Sequence, residues 1–160
     1  MKRKIYITAL FVVFIFSGSI IIRNTLFVSN DDTGIRNINW NIGLKELEKK
    51  EGQSEDVSYT KTTNNNFVEY TQYLDFPVHI EYRFVKDSLE MIVIYYDVDM
   101  EKDWIIILQK IYDIEGKAFA NSKQSKKGQS YVRTWQNNNN TYKLTCDFKK
   151  CEIYMTVCKS

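Results

Sequence analysis

The sequence is poor in several residue types on which catalytic and metal sites depend. It contains a single histidine, His79, which excludes a metal site built from several histidines and leaves no choice of histidines for a Ser-His-Asp or Cys-His arrangement. Its six glycines include no Gly-x-Gly pair, so a glycine-rich phosphate loop is also excluded. We therefore expect no catalytic residue, no cofactor site and no metal site.

Cysteine is also scarce, and none follows the N-terminal apolar segment until Cys146, which excludes a lipid-anchored bacterial lipoprotein. Proline occurs once and alanine three times, whereas Lys, Ile, Asn and Tyr are abundant. This bias is typical of an AT-rich genome and favours a bacterium with a single membrane as the source.

The apolar residues 5–22 and the basic residues on either side of them predict export. Lys2, Arg3 and Lys4 precede the eighteen uncharged residues 5–22, and Arg23 follows them. An 18-residue helix is about 27 Å long, close to the hydrocarbon thickness of a bilayer. A cleaved signal peptide is the alternative, with cleavage after Ser19. Residues 1–23 are thus a membrane anchor or a signal peptide, and either one places the rest of the chain outside the cytoplasm.

The net charge becomes negative when this segment and its flanks are left out of the count. Four of the 22 basic residues flank it, which leaves 18 basic against 20 acidic residues and a net charge of −2. An acidic exported part gives no support to nucleic-acid binding. Residues 24–34 are polar and read as a linker.

An internal duplication is the most informative feature of the exported part. Residues 64 positions apart match at both ends of a predicted helix and through the strands that follow. The matches are Trp40/Trp104, Leu44/Leu108, Leu47/Ile111, Glu51/Glu115, Gly52/Gly116, Phe67/Tyr131, Val68/Val132, Ile80/Leu144 and Phe84/Phe148. After a two-residue deletion, Glu90 matches Glu152. The repeats span residues 40–98 and 104–158.

Each repeat predicts one helix and three strands. Gly43 and Asp103 are the expected N-caps, and Gly52 and Gly116 are expected to end the helices in the left-handed conformation. Two α-β-β-β units side by side predict an α+β domain over residues 35–160, with an antiparallel sheet of about six strands and both helices on one face.

The tryptophan, the helix and the Glu-Gly that ends it resemble the opening of small exported bacterial domains of α-β-β-β type. The tandem arrangement is similar to the β-lactamase inhibitor proteins, and the single unit is similar to the small lipoprotein of the outer-membrane β-barrel assembly machine. Asn41 and Gly43 depart from the Gly and Ser of that motif. The resemblance implies a fold that binds other proteins through its sheet face and loops.

Acidic residues provide the only candidates for catalysis. Asp97, Asp99, Glu101 and Asp103 alternate as calcium ligands do, but Lys102 and Leu108 stand where a calcium loop needs Gly and Glu. We interpret them as charges at a strand end and a helix start. A basic loop with Lys117, Lys123, Lys126 and Lys127 is expected to be solvated, and His79 is expected to be a surface residue.

The candidate binding face comes from strand alternation. Leu89, Met91, Val93 and Tyr95 are expected to face the core, which turns Ile92, Ile94 and Tyr96 to the other side, together with Tyr154. An outward apolar set indicates a partner site or a covered surface.

We therefore expect a non-catalytic extracytoplasmic protein–protein interaction module of a bacterial envelope. Its partners would be the membrane, through the N-terminal helix, and an envelope protein, with no nucleic acid and no small-molecule substrate. The alternatives are a small envelope-acting enzyme that uses Asp97 and Asp99, and a structural subunit of an envelope complex.

Export permits disulfides, and Cys146 and Cys151 flank a predicted turn. A two-residue turn at Lys149-Lys150 places Cys146 opposite Ile153, whereas a four-residue turn places it opposite Cys151. Both pairings stay open, and Cys158 is left over.

Overall fold

Eight antiparallel strands and three helices occur in residues 31–63 and 65–160, the part of the chain that this computed structural model describes. Residues Asp31–Ser160 form a compact unit, so residues 31–34 of the predicted linker belong to it. The predicted anchor or signal segment lies outside the described residues. In chain order the elements are α1 Leu44–Glu51, β1 Tyr59–Thr62, β2 Asn66–Tyr73, β3 Phe76–Val85, β4 Ser88–Tyr96, α2 Met100–Glu115, α3 Lys117–Ala120, β5 Lys123–Lys127, β6 Ser130–Asn137, β7 Asn140–Asp147 and β8 Glu152–Lys159.

The strand order is symmetric about the middle of the sheet. It runs β1-β2-β3-β4-β8-β7-β6-β5, so each half is a four-stranded meander and the last strands of the two halves pair with each other. β1 and β5 are the two edges. The first half therefore contains α1 followed by four strands, and the second half contains α2 and α3 followed by four strands.

The prediction of two α-β-β-β units with about six strands was wrong. The two additional strands are β1, Tyr-Thr-Lys-Thr, and β5, Lys-Gln-Ser-Lys-Lys, and neither contains a buried residue. Apolar alternation detects strands that bury one face, and an edge strand can form without it. Much of the predicted basic loop is thus α3 and β5.

The helix boundaries follow the sequence in part. α1 begins after Gly43, as predicted, but Gly52 has φ −65° and is not left-handed. Gly116 follows α2 with φ 51° and ψ −120°, a positive φ that favours glycine but is not the left-handed helical conformation that we expected. α2 starts at Met100, three residues before the predicted cap, and the Asp103 carboxylate accepts a hydrogen bond from Asp99 N at 3.1 Å.

One face of the sheet carries the core. Leu47 of α1, Ile107 and Ile111 of α2 and Phe119 of α3 are buried in a single apolar cluster with the inward residues of the strands. An N-terminal segment, residues 31–42, joins this layer through the buried residues Ile35, Ile38, Trp40 and Ile42.

The N-terminal segment contacts both halves of the sheet. Trp40 is 2% exposed, and its Nε1 donates to Asn140 Oδ1 of β7 at 2.7 Å. Asn140 Nδ2 in turn donates to the Asp32 carbonyl at 2.9 Å. Trp104, the predicted equivalent of Trp40, lies within α2 and is only half-buried, so the two tryptophans do not have the same role.

Candidate functional site

The predicted binding face is on the wrong side of β4. Ile92 and Ile94 are completely buried and Tyr96 is 6% exposed, all three in the core beneath the helices. Tyr154 of β8 lies on the opposite, helix-free face, where it pairs with Tyr95. The expectation that Ile92, Ile94 and Tyr96 point outward is therefore corrected.

A β-bulge explains this error. Arg83 pairs with Met91 while Phe84 pairs with Leu89, so β4 has one more residue, Glu90, than its partner at this point. The bulge shifts the alternation by one residue, and Leu89 and Ile92 both face the core. A one-residue shift moves every later side chain to the other face of a sheet.

The same bulge changes the repeat alignment. Asp147 follows Arg83 by 64 residues and pairs with Glu152, whereas Arg83 pairs with Met91. Equivalent positions of β4 and β8 are therefore 61 residues apart. The predicted match of Glu90 with Glu152 was off by one, because the four residues 148–151 connect β7 to β8 without a bulge.

The correct register brings five rings together on the helix-free face. Tyr59, Tyr70, His79, Tyr95 and Tyr154 pair in succession across β1, β2, β3, β4 and β8. We call them the aromatic row. Neighbouring members are 9 to 59 residues apart in sequence, so the strand pairing reveals the row. His79 is part of it instead of an isolated surface residue.

The rings of the aromatic row contact one another. Ring centroids are 5.6 Å apart from Tyr59 to Tyr70 and from Tyr70 to His79, 4.5 Å from His79 to Tyr95, and 5.8 Å from Tyr95 to Tyr154. His79 and Tyr95 are stacked with planes only 13° apart. Tyr59 is 57% and Tyr70 44% exposed, so the row is half-buried at the sheet centre and open at its edge.

Charged side chains beside the aromatic row keep the outer ends of its rings in a polar environment. Arg83 Nη2 donates to Glu81 Oε2 at 2.8 Å, and this contact raises the pKa of Arg83. Burial, followed by the negative charge of Glu81, raises the pKa of Tyr95. The Tyr95 hydroxyl therefore stays protonated and able to donate a hydrogen bond at neutral pH.

Lysines and threonines occupy the equivalent positions in the second half of the sheet. Lys123, Thr134, Lys143 and Thr156 pair in succession across β5, β6, β7 and β8. They are the counterparts of Tyr59, Tyr70, His79 and Tyr95 at offsets of 64, 64, 64 and 61. We call them the lysine row. Within the described residues, neither lysine of this row has an acidic partner.

The acidic candidates do not form a paired-carboxylate site. Asp97 lines a shallow cleft of about 210 Å³ with His79, Cys151 and Glu152. Asp99 instead forms an exposed ion pair with Lys102 at 3.0 Å. In residues 31–63 and 65–160, no three His, Cys, Asp or Glu side chains are placed to hold a metal ion.

The cysteines are free thiols. Cys146 is buried and pairs with Ile153, whereas Cys151 is exposed in the turn and Cys158 is partly buried. Cys146 opposite Ile153 is the register that we expected from a two-residue turn at Lys149-Lys150. The Cys146–Cys151 bridge is not present. Burial raises the pKa of Cys146 and of Cys158.

Within the described part of the chain, no helix combines the length and the apolar character needed to cross a membrane. The apolar residues 5–22 lie outside that part.

Comparison with known proteins adds little. No protein-family model and no curated protein sequence matches the chain. Among solved structures, a cysteine-rich secretory protein from Staphylococcus aureus subsp. aureus Mu50 is similar over 76% of this chain at 8% identity and a TM-score of 0.31. This chain spans 44% of that protein's length.

Proposed function

We propose that the protein is a non-catalytic, extracytoplasmic protein–protein interaction module of a bacterial cell envelope, and that its partner binds the helix-free face of the sheet. The observation that carries the proposal is the aromatic row, which pairs five rings across five neighbouring strands. The site differs from the sequence-based candidate, since Tyr154 is the one residue common to both.

Tyrosine suits a protein interface. Its rigid ring supplies a large contact area at a low cost in conformational entropy, and its hydroxyl pairs with polar groups of the partner. Tyrosines at the centre of an interface also contribute much of the binding energy. Since His79 and Tyr95 stack on each other, they cover one another's ring faces, which leaves their edges and polar groups for contact with a partner.

Charge defines the expected partner further. Lys61, Lys123, Lys127 and Lys143 all lie on the helix-free face by their strand register. With Arg83 they make five basic residues on this face, against the three acidic residues Glu81, Asp147 and Glu152 that the register places there. The chain beyond residue 30 carries 18 basic against 20 acidic residues, so this face is more positive than the rest. We infer that the partner presents an acidic surface, which would be steered to the lysine row and then anchored on the aromatic row.

The localisation part of the proposal rests on the N-terminal sequence, which predicts an anchor or a signal peptide. The resemblance to tandem α-β-β-β binding domains gives the proposal no support, because each half of the sheet has four strands. The enzyme alternative has less support, because Asp97 and Asp99 do not share a cleft.

Site-specific photocrosslinking in intact cells tests the proposal. A benzoylphenylalanine at Gln72, exposed on the helix-free face beside Tyr70, should capture a protein when the full chain is expressed in its own cells. The same group at Ile105, 71% exposed on α2, should not capture it. Combining the Gln72 probe with Tyr70→Ser and Tyr95→Ser should abolish the crosslink.

Tyr112→Ser is the matched control, because Tyr112 is 49% exposed on α2 while Tyr70 is 44% exposed on the sheet. It should leave the Gln72 crosslink unchanged, and all variants should keep the wild-type melting temperature. A crosslink that persists in the double serine variant, or that arises from Ile105 alone, would show that the aromatic row is not the binding site.

A further inference from the structure

Two buried carboxylates and one guanidinium meet where the N-terminal segment and α1 pack on the sheet. The side chain of Glu69 on β2 is fully buried, and that of Glu51 at the end of α1 is 3% exposed. Arg36 of the N-terminal segment places Nη2 3.1 Å from Glu51 Oε2 and Nε 3.3 Å from Glu69 Oε1. One positive charge thus faces two carboxyl groups.

The remaining partners are neutral. The Tyr82 hydroxyl of β3 donates to Glu69 Oε1 at 2.8 Å. Arg36 also donates to Thr71 Oγ1 at 3.1 Å and to Ser54 Oγ at 3.4 Å. The charged and titratable groups around Glu69 are therefore Arg36 from the N-terminal segment, Glu51 from α1 and Tyr82 from β3.

This count leaves one negative charge without compensation, while both carboxyl groups are shielded from water. A buried charge without a partner is costly, and a carboxyl group in that situation takes up a proton instead. Glu69 Oε2 has no hydrogen-bond partner among the described residues, and the Arg36 guanidinium lies against both carboxyl groups. A proton on Glu69 would balance the charge of this cluster.

We propose that the buried Glu69 carboxyl group holds a proton, and that this proton keeps the N-terminal segment and α1 against the sheet. The three parts are joined at this point by Arg36, and the backbone there is strained. Arg36 and Asn37 have φ 49° and 56°, a left-handed conformation that non-glycine residues adopt only when their surroundings enforce it.

The pKa of Glu69 sets the pH range over which the proton is lost. Burial, followed by the negative charge of Glu51, raises the pKa of Glu69 from 4.5 to about 7, against the opposing effects of Tyr82 and Arg36. The folded state therefore binds the proton more tightly than the unfolded chain. The associated stability is complete below a pH of about 4.5 and is lost as the pH rises through about 7.

Infrared spectroscopy of the full chain detects the proton directly. At a pH of about 6 the wild type should show the C=O band of a protonated carboxyl group in a position typical of burial, and Glu69→Gln or Glu51→Gln should remove it. Glu55→Gln, an exposed position after α1, is the control and should leave the band unchanged. Absence of the band from the wild type would overturn the proposal.

Urea unfolding and hydrogen exchange test the consequence. The wild-type midpoint should fall between a pH of about 5 and about 8, whereas the Glu69→Gln midpoint should be nearly independent of pH over the same range. Exchange at the amides of Ile38 and Trp40, which donate to Ile35 O and Asp31 O, should accelerate at the higher pH beyond the intrinsic rate change. An equal midpoint shift in wild type and Glu69→Gln would refute the role of Glu69.

Discussion

The two halves of the sheet have the same strand order and different open faces. In the first half the row contains Tyr59, Tyr70, His79 and Tyr95, and in the second half the equivalent positions are Lys123, Thr134, Lys143 and Thr156. Most buried positions are apolar in both halves, as with Ile80 and Leu144 or Ile94 and Met155. The fold thus constrains only the face that packs, and the open face is free to acquire a binding role.

The halves also differ on the core side. Glu69 belongs to the buried charge cluster with Arg36 and Glu51. Its counterpart Arg133 places its guanidinium 4.8 Å from the ring centroid of Phe119. The N-terminal segment explains this difference, because it supplies Arg36 to the first half and has no counterpart before α2, where β4 ends instead.

A charge on each face of the central strands should produce the largest contrast. Ile94→Glu places a carboxylate in the core without a partner and should cost more than about 5 kcal/mol, comparable with the whole stability of a domain. Tyr154→Glu, on the helix-free face, should cost less than about 1 kcal/mol. Circular dichroism melts of both variants make the comparison, and a folded Ile94→Glu protein would show that the face assignment is wrong.

Trp40 and Trp104 test how far the duplication extends. Trp40→Ala removes a buried ring and its hydrogen bond to Asn140, so it should cost about 3–5 kcal/mol. Trp104→Ala, which empties a half-exposed position in α2, should cost less than half of that. Denaturant titrations measure both losses, and equal values would support the equivalence expected from the sequence.

Replacing Arg36 and Arg133 should change stability by different amounts, because the two arginines have different partners on the core side of the two halves. Arg36→Met leaves two buried carboxylates without a cation and should cost about 3 kcal/mol, with a larger loss at high pH as Glu69 ionises. Arg133→Met removes only a contact with an aromatic ring, worth about 0.5–1 kcal/mol. If the Arg36→Met loss is the same at a pH of about 5 and about 8, Glu69 does not titrate in this range.

Much of the strand layout could be predicted from the sequence. His79 to Phe84 alternates clearly and forms part of β3, and the 64-residue offset correctly relates β2 to β6 and β3 to β7. These strands bury one face each, so their alternation reflects the core. The edge strands β1 and β5 bury nothing, and no apolar pattern marked them.

The candidate site could not be predicted correctly because it depends on the exact register between paired strands. One extra residue in β4, Glu90, reversed the assignment of every following side chain. β4 is apolar on both faces, so its composition gave no warning of the reversal. Similarly, the charge cluster joins Arg36, Glu51 and Glu69 from three elements, and no local pattern relates them.

Substitutions in the lysine row are expected to have the smallest effect on stability, so they test binding separately from folding. Lys123→Ser and Lys143→Ser change exposed side chains without acidic partners in the described part of the chain, and each should alter stability by less than about 0.5 kcal/mol. If an acidic partner binds this face, the pair should slow its association several-fold at low salt and much less at high salt, because screening weakens the attraction that they supply. The partner captured through Gln72 serves as the probe, with association followed by surface plasmon resonance at two ionic strengths.

Lys49→Ser, an exposed change on α1, controls for net charge alone. If Lys49→Ser slows association as much as either lysine-row variant, the attraction comes from overall charge and the lysine row has no specific part in binding.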